Sequence, residues 1–179
     1  MSSSRPSSRG NPSMGDILRS VAVMGGIVLA LWVAGLTLTR TPETAVRPVD
    51  YEPIAQSARQ VVEYPLLSPG TLPDGWLANG ARFSPGPDQL WHLGVLTDQE
   101  RYIGLEQSTL PADEMVERFA EGSEPDGTIE VGDRVWELRS GPDDRITLVD
   151  ETDGATTLVT TGTAPIGDVR RYVALLSAG

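Results

Sequence analysis

The sequence predicts an α+β protein: a single N-terminal transmembrane helix, then one extracytoplasmic domain. In that domain an antiparallel β-sheet of about six to seven strands has helices packed on one face. Three observations predict this. Residues 20–39 run for twenty positions without a charge. Beyond Trp76 apolar residues alternate with others, as in Trp91, Leu93 and Val95, the period of half-buried antiparallel strands. Two short segments, 112–121 and 165–176, switch to helical spacing.

Composition narrows the function classes. The chain has 179 residues, enough for one domain with accessory segments. It has no Cys, which excludes a disulfide scaffold, thiolate metal sites, a Cys nucleophile and a lipidated N-terminal Cys. One His excludes a multi-histidine metal site, and no metal or cofactor is expected. All 14 basic residues are Arg. The absence of Lys reads as GC-rich coding and rules out a phosphate-binding P-loop. The net charge of −11 argues against nucleic acid as a partner. That charge is uneven: residues 1–19 carry +2, Arg40 adds +1, and residues 41–179 carry −14. A basic head and an acidic body point to a membrane between them.

Taken in order, residues 1–16 read as a disordered cytoplasmic tail, because Ser, Pro, Gly, Asn and Arg cannot bury enough surface to offset their ordering entropy. Residues 17–39 read as the transmembrane helix, since twenty uncharged residues span about 30 Å. A cleaved signal peptide is the rival reading, but no Ala-x-Ala pattern follows and the run exceeds the usual core of about 7–15 residues. Arg5, Arg9 and Arg19 before the helix, against Arg40 and Arg47 after it, favour the N-terminus inside and the C-terminus outside. Ala22, Gly26, Ala30 and Ala34 recur every fourth residue and form a stripe through which two membrane helices can approach and dimerise.

Residues 40–50 read as a linker, and residues 51–179 as the domain. Residues 52–62 place Ile54, Ala55, Ala58, Val61 and Val62 on one helical face, and Pro65 stops that helix. Residues 65–75 form a turn-rich lead-in. Strands are expected near 77–83, 89–96, 101–107, 128–132, 134–140, 145–150 and 156–161. Turn chemistry joins several of them at Gly132-Asp133, Gly141-Pro142-Asp143-Asp144 and Asp153-Gly154. Helices are expected at 112–121, with Met115, Val116 and Phe119 inward, and near the C-terminus, with Val169, Tyr172, Val173 and Leu176 inward.

Four residues are candidate ligand contacts: Trp76, His92, Glu106 and Gln107. Trp76 follows a Pro-Asp-Gly turn and is read as a partly exposed contact, whereas Trp91 and Trp136 suit core packing. His92 points away from Trp91 and Leu93. A catalytic role would require a nucleophile and an orienting carboxylate beside it in space, so a hydrogen-bonded structural role is the simpler expectation and no residue is assigned to catalysis. Glu106 and Gln107 stand with Ser108 near a strand end, where they suit a polar ligand or cap the following helix. The acidic run 150–154 lacks the late Glu of a calcium loop and reads as a hairpin turn.

Several motifs occur in order: Leu72–Trp76 (LPDGW), Trp91–Gly94 (WHLG), Gly104–Ser108 (GLEQS), Val131–Trp136 (VGDRVW) and Thr161–Ala164 (TGTA). Behind an N-terminal membrane helix, this succession resembles the actinobacterial family catalogued as domain of unknown function 4245, over Val21 to Ser177. The resemblance implies a single-pass membrane protein of GC-rich Gram-positive bacteria. It implies no activity, ligand or catalytic residue.

The expected function is a membrane-anchored extracytoplasmic binding or interaction module of the cell envelope, without catalysis. Its partners would be the membrane and an unidentified envelope protein or ligand. An acidic domain steers basic partners, although the charge also serves solubility. One alternative is an envelope hydrolase using His92 with a carboxylate such as Glu106, which requires His92 to reach an acid and line a pocket. Another is a structural subunit of a membrane complex, held through the helix stripe.

Overall fold

The computed structural model describes residues 14–38 and 47–178. The chain divides into two units, Met1–Ala45 and Val46–Gly179. The expected tail up to residue 13 and most of the expected linker, residues 39–46, lie outside the described residues.

In the first unit, α1 spans Met14–Leu38. Its large apolar side chains that are described, from Met14 through Val21, Ile27 and Leu29 to Trp32, are all exposed. Among the described residues no helix is long and apolar enough to cross a membrane. The described apolar side chains run from Val21 to Ala30, with Trp32 beyond, fewer than the roughly 20 that a span needs. The expectation of a spanning helix rested on residues up to Thr39, which continue past them. Ala22, Gly26 and Ala30 of the stripe are exposed, and nothing stands within 4 Å of a Cβ built on Gly26. The side chain of Ala34 lies outside the described set.

The second unit contains α2 (Glu52–Arg59), β1 (Leu67–Pro69), β2 (Leu77–Ser84), β3 (Leu90–Leu96), β4 (Tyr102–Ser108), α3 (Ala112–Phe119), β5 (Glu124–Val131), β6 (Arg134–Ser140), β7 (Ile146–Thr152), β8 (Ala155–Thr161), α4 (Ile166–Val173) and β9 (Leu176–Ala178). Seven strands form one sheet in the order β2-β3-β4-β8-β7-β6-β5, and every pairing is antiparallel. Two meanders, β2-β3-β4 and β5-β6-β7-β8, therefore meet along β4 and β8.

The turns follow from their residues. Asp153 and Gly154 link β7 to β8 with φ of 58° and 81°, the two-residue hairpin geometry that Asp-Gly supplies at least cost. Gly132 takes φ 66° at the first position of the β5–β6 turn, a left-handed angle that a side chain would strain.

The central strands are buried along most of their length, with consecutive residues facing opposite sides of the sheet. Trp91, Leu93, Val95, Ile103, Leu105, Trp136, Leu148 and Val159 join Ala55 and Ala58 of α2 and Val169, Tyr172 and Val173 of α4 in one core. A second, smaller core joins Leu90, Val149 and Leu158 to Met115 of α3, with Val116 and Phe119 packed alongside. Leu90 and Trp91, Leu148 and Val149, and Leu158 and Val159 are consecutive, so the two cores lie on opposite faces of the sheet. Helices thus cover both faces, which corrects the expectation of helices on one face only. The physical reason is that β7 and β8 carry apolar side chains at both parities, and each set needs a cover.

The lead-in also does more than turn. Leu67–Pro69 pairs with Leu176–Ala178 as a two-stranded ribbon. Val49, assigned to the linker by composition, donates its N–H to the Ala78 carbonyl at 2.8 Å and packs against the main core. The folded unit therefore extends back past residue 51.

Candidate functional site

The face of the sheet that carries α3 is only partly covered. Its open part is built from β2, β3, β4 and β8, and strand register decides what stands there. Gly80 pairs with Gly94, Gly94 with Gly104, and Gly104 with Thr160. Three glycines in line across three strands make a floor with no side chains of its own. In the adjacent row Arg82 pairs with His92 and His92 with Glu106.

His92 and Glu106 meet. Nδ1 of the imidazole and Oε1 of the carboxylate stand 2.5 Å apart, with the two side chains 21% and 12% exposed. The other ring nitrogen, Nε2, takes no part in this contact. Nε2 lies 3.9 Å from where a Cβ on Gly80 would stand. Glu106 Oε2 is buried and accepts no hydrogen bond. A buried carboxylate oxygen without a donor is costly, so a native structure that keeps one calls for an explanation.

Tyr102 lies across the glycine floor. A Cβ on Gly94 would stand 3.0 Å from its ring, and one on Gly104 would stand 3.0 Å from its hydroxyl. Asn79, at the bulge in β2, also reaches over Gly94, with its Oδ1 at 2.6 Å from such a Cβ. Burial pushes the Tyr102 hydroxyl above its ordinary pKa, and the nearby Glu106 carboxylate pushes it further. Beyond the floor, the Thr147 and Thr160 hydroxyls are 3.3 Å apart.

The other two candidates stand on the opposite face. Gln107 is 3% exposed. Its Nε2 donates to the Pro65 carbonyl at 3.1 Å and its Oε1 accepts the Leu67 N–H at 2.8 Å, so the amide fastens the lead-in to the sheet. The Tyr64 hydroxyl donates to the Gln89 and Gln107 carbonyls, and the Trp91 Nε1–H to the Leu67 carbonyl. Trp76, expected as a partly exposed contact, is buried in the main core with the Arg171 guanidinium over its ring at 5.7 Å. The ring is drawn in because the lead-in folds over the sheet rather than away from it.

The structure therefore brings together His92 and Glu106 and separates them from Trp76 and Gln107. Tyr102, Arg82 and Asn79 join the pair and were missed in the sequence. A signal for Tyr102 existed: a hairpin centred on Gln99 sets Tyr102 opposite Leu96 and, in the same register, Glu106 opposite His92.

Gly94, Gly104 and Glu106 are buried and His92 is half-buried, whereas Arg82 and Tyr102 are exposed. A groove of about 420 Å³ between α3 and β6 is bordered by Asp113, Glu117, Glu121, Glu137 and Arg139, and one of about 270 Å³ by Thr109, Pro111, Glu151 and Thr156. His92 lines neither. Among the described residues, no group of three or more His, Asp and Glu is placed to hold a metal ion.

Residues 9–176 match the model of a family described as Protein of unknown function (DUF4245). No curated protein and no solved structure matches the chain.

Proposed function

The chain belongs to this family of proteins of unknown function, and we propose that it is a single-pass membrane protein of the cell envelope whose acidic C-terminal domain is a binding module outside the cytoplasm. One observation carries the reading: α1 leaves its apolar side chains exposed, whereas Val46–Gly179 buries a core of its own. A helix apolar all round has to be covered by lipid or by another protein. The uncharged run continuing to Thr39 gives it the length for lipid. Three Arg before the helix (Arg5, Arg9, Arg19) against two after it (Arg40, Arg47) favour an N-terminus in the cytoplasm. The stripe of Ala22, Gly26 and Ala30 would let two copies pack through the helix.

The test is fractionation with protease access. The full chain is expected in the membrane fraction, resistant to carbonate extraction, with its C-terminal domain digested by protease added outside intact spheroplasts. Release by carbonate, or protection of the domain until the cells are lysed, overturns the proposal.

A second reading, an envelope hydrolase, draws on the 2.5 Å contact between His92 and Glu106. A carboxylate that orients an imidazole is the supporting half of a general base. This reading also needs a nucleophile or water and a substrate held at Nε2. Loss of a hydrolytic activity of the purified chain in His92→Ala would favour it over the binding module.

A further inference from the structure

We propose that the patch of the sheet around His92, Glu106 and Tyr102 binds the ring of a neutral, polyhydroxylated saccharide. The proposal deepens the binding-module reading and rests on it, but it does not depend on membrane anchoring.

The chemistry of the patch selects the ligand. Glu106 Oε2 is a buried acceptor with no donor, and His92 Nε2 is not engaged by Glu106. The unpaired acceptor calls for a ligand rich in O–H or N–H donors. Arg82, opposite His92 on the edge strand β2, is exposed and makes no ion pair among the described residues. A guanidinium there repels an amine or a basic peptide but donates readily to a hydroxyl. Donors and acceptors on adjoining strands therefore match a group that both donates and accepts, and an alcohol does this from a single atom.

The shape agrees. Gly80, Gly94 and Gly104 raise no side chains of their own, and Asn79 and Tyr102 fill the space over Gly94 and Gly104, so a flat ring reaches the backbone only in place of those two side chains. Tyr102 is the movable part of the site. Its ring rests on two glycines, it is 37% exposed, and its hydroxyl makes no hydrogen bond among the described residues. Turning off the floor, it uncovers the trough and offers its face to the C–H side of a sugar while its hydroxyl reaches a ring substituent. The apolar neighbours Leu90 and Leu158 stay under α3 and bound the site on one side.

His92 is the only histidine of the chain, so one imidazole signal reports on the site without assignment. The full chain, labelled with ¹⁵N-histidine in detergent micelles, is titrated with chitotriose, cellotriose and maltotriose, and separately with spermidine. At least one trisaccharide is expected to shift the His92 signal saturably at millimolar concentration, with spermidine weaker. Glu106→Gln is expected to weaken binding about tenfold, because a charged acceptor is lost. Arg82→Ala and Tyr102→Ala are expected to weaken it by about fivefold or more. Arg82→Ala, on an exposed edge position, keeps the test valid should Glu106→Gln fail to fold.

Three results would overturn the proposal: no shift with any of the three sugars up to about 50 mM, spermidine binding tighter than every sugar, or wild-type affinity in folded Arg82→Ala and Tyr102→Ala. None of these results bears on carbonate extraction, so failure here and failure of anchoring are read separately.

Discussion

Replacing Tyr172 by Phe is expected to stabilise the domain. Tyr172 on α4 is fully buried in the main core, and its hydroxyl has no hydrogen-bond partner. An unpaired buried hydroxyl costs about 1–3 kcal/mol. Removing one oxygen leaves a void smaller than a methyl group, which takes back part of that gain. The net expectation is about 1 kcal/mol of added stability, or about 3–4 °C in Tm for a domain of this size. The same substitution at Tyr64 has the opposite sign. Tyr64 is 5% exposed, and its hydroxyl donates to the Gln89 carbonyl at 2.5 Å and the Gln107 carbonyl at 3.2 Å. Tyr64→Phe leaves acceptors in place without their donor and is expected to cost about 1–3 kcal/mol. Both variants delete the same atom from buried sites, so the contrast isolates the hydrogen bond. Urea unfolding of the full chain in micelles, followed by tryptophan fluorescence, measures both. A loss above about 1 kcal/mol in Tyr172→Phe, or none in Tyr64→Phe, would refute the reasoning.

Gln107→Leu keeps the volume but removes both bonds to the lead-in, leaving the Leu67 N–H and the Pro65 carbonyl unpaired. It is expected to cost about 2–5 kcal/mol, and Gln107→Glu should not rescue it, because a carboxylate cannot donate to Pro65; a urea midpoint within error of wild type would contradict this. Stability is also expected to fall in alkali. Burial raises the hydroxyls of Tyr64, Tyr102 and Tyr172 above the ordinary value of 10.0. The folded state then keeps protons that the unfolded chain releases, so stability is complete below pH 10 and declines as pH rises beyond it. The urea midpoint should drop as pH rises from about 10 upward, and drop less in Tyr172→Phe, whereas a flat profile would show that the unfolded chain gains nothing by ionising.

The strands were legible because apolar residues alternate in stretches such as Trp91, Leu93 and Val95, and the turn residues mark most strand ends. Seven strands were expected and the main sheet has seven, within a few residues of the expected bounds. The ribbon of Leu67–Pro69 and Leu176–Ala178 was not legible, since three residues cannot display a period and their partners lie more than a hundred positions apart. The placement of α3 was misread for a different reason. Leu148-Val149 and Leu158-Val159 are adjacent apolar pairs, the mark of strands covered on both faces, and alternation alone overlooks them. At the site, His92 and Glu106 were both singled out, but their contact is a property of register. Gln107 was legible as a polar residue near a strand end. Its use of both amide ends on the lead-in depends on how that lead-in crosses the sheet, which local sequence does not encode.

The ribbon bears on the timing of synthesis. Ser68 lies opposite Ser177, so the first strand of the folded unit waits for nearly its last residues to be made. At about 5–20 residues per second the interval is roughly 5–20 s. Until then the lead-in has no strand partner, and the core under Leu66 and Leu67 stays open on that side. A chain that lacks Leu176–Ala178 therefore leaves Leu67–Pro69 without its strand partner and open to proteolysis.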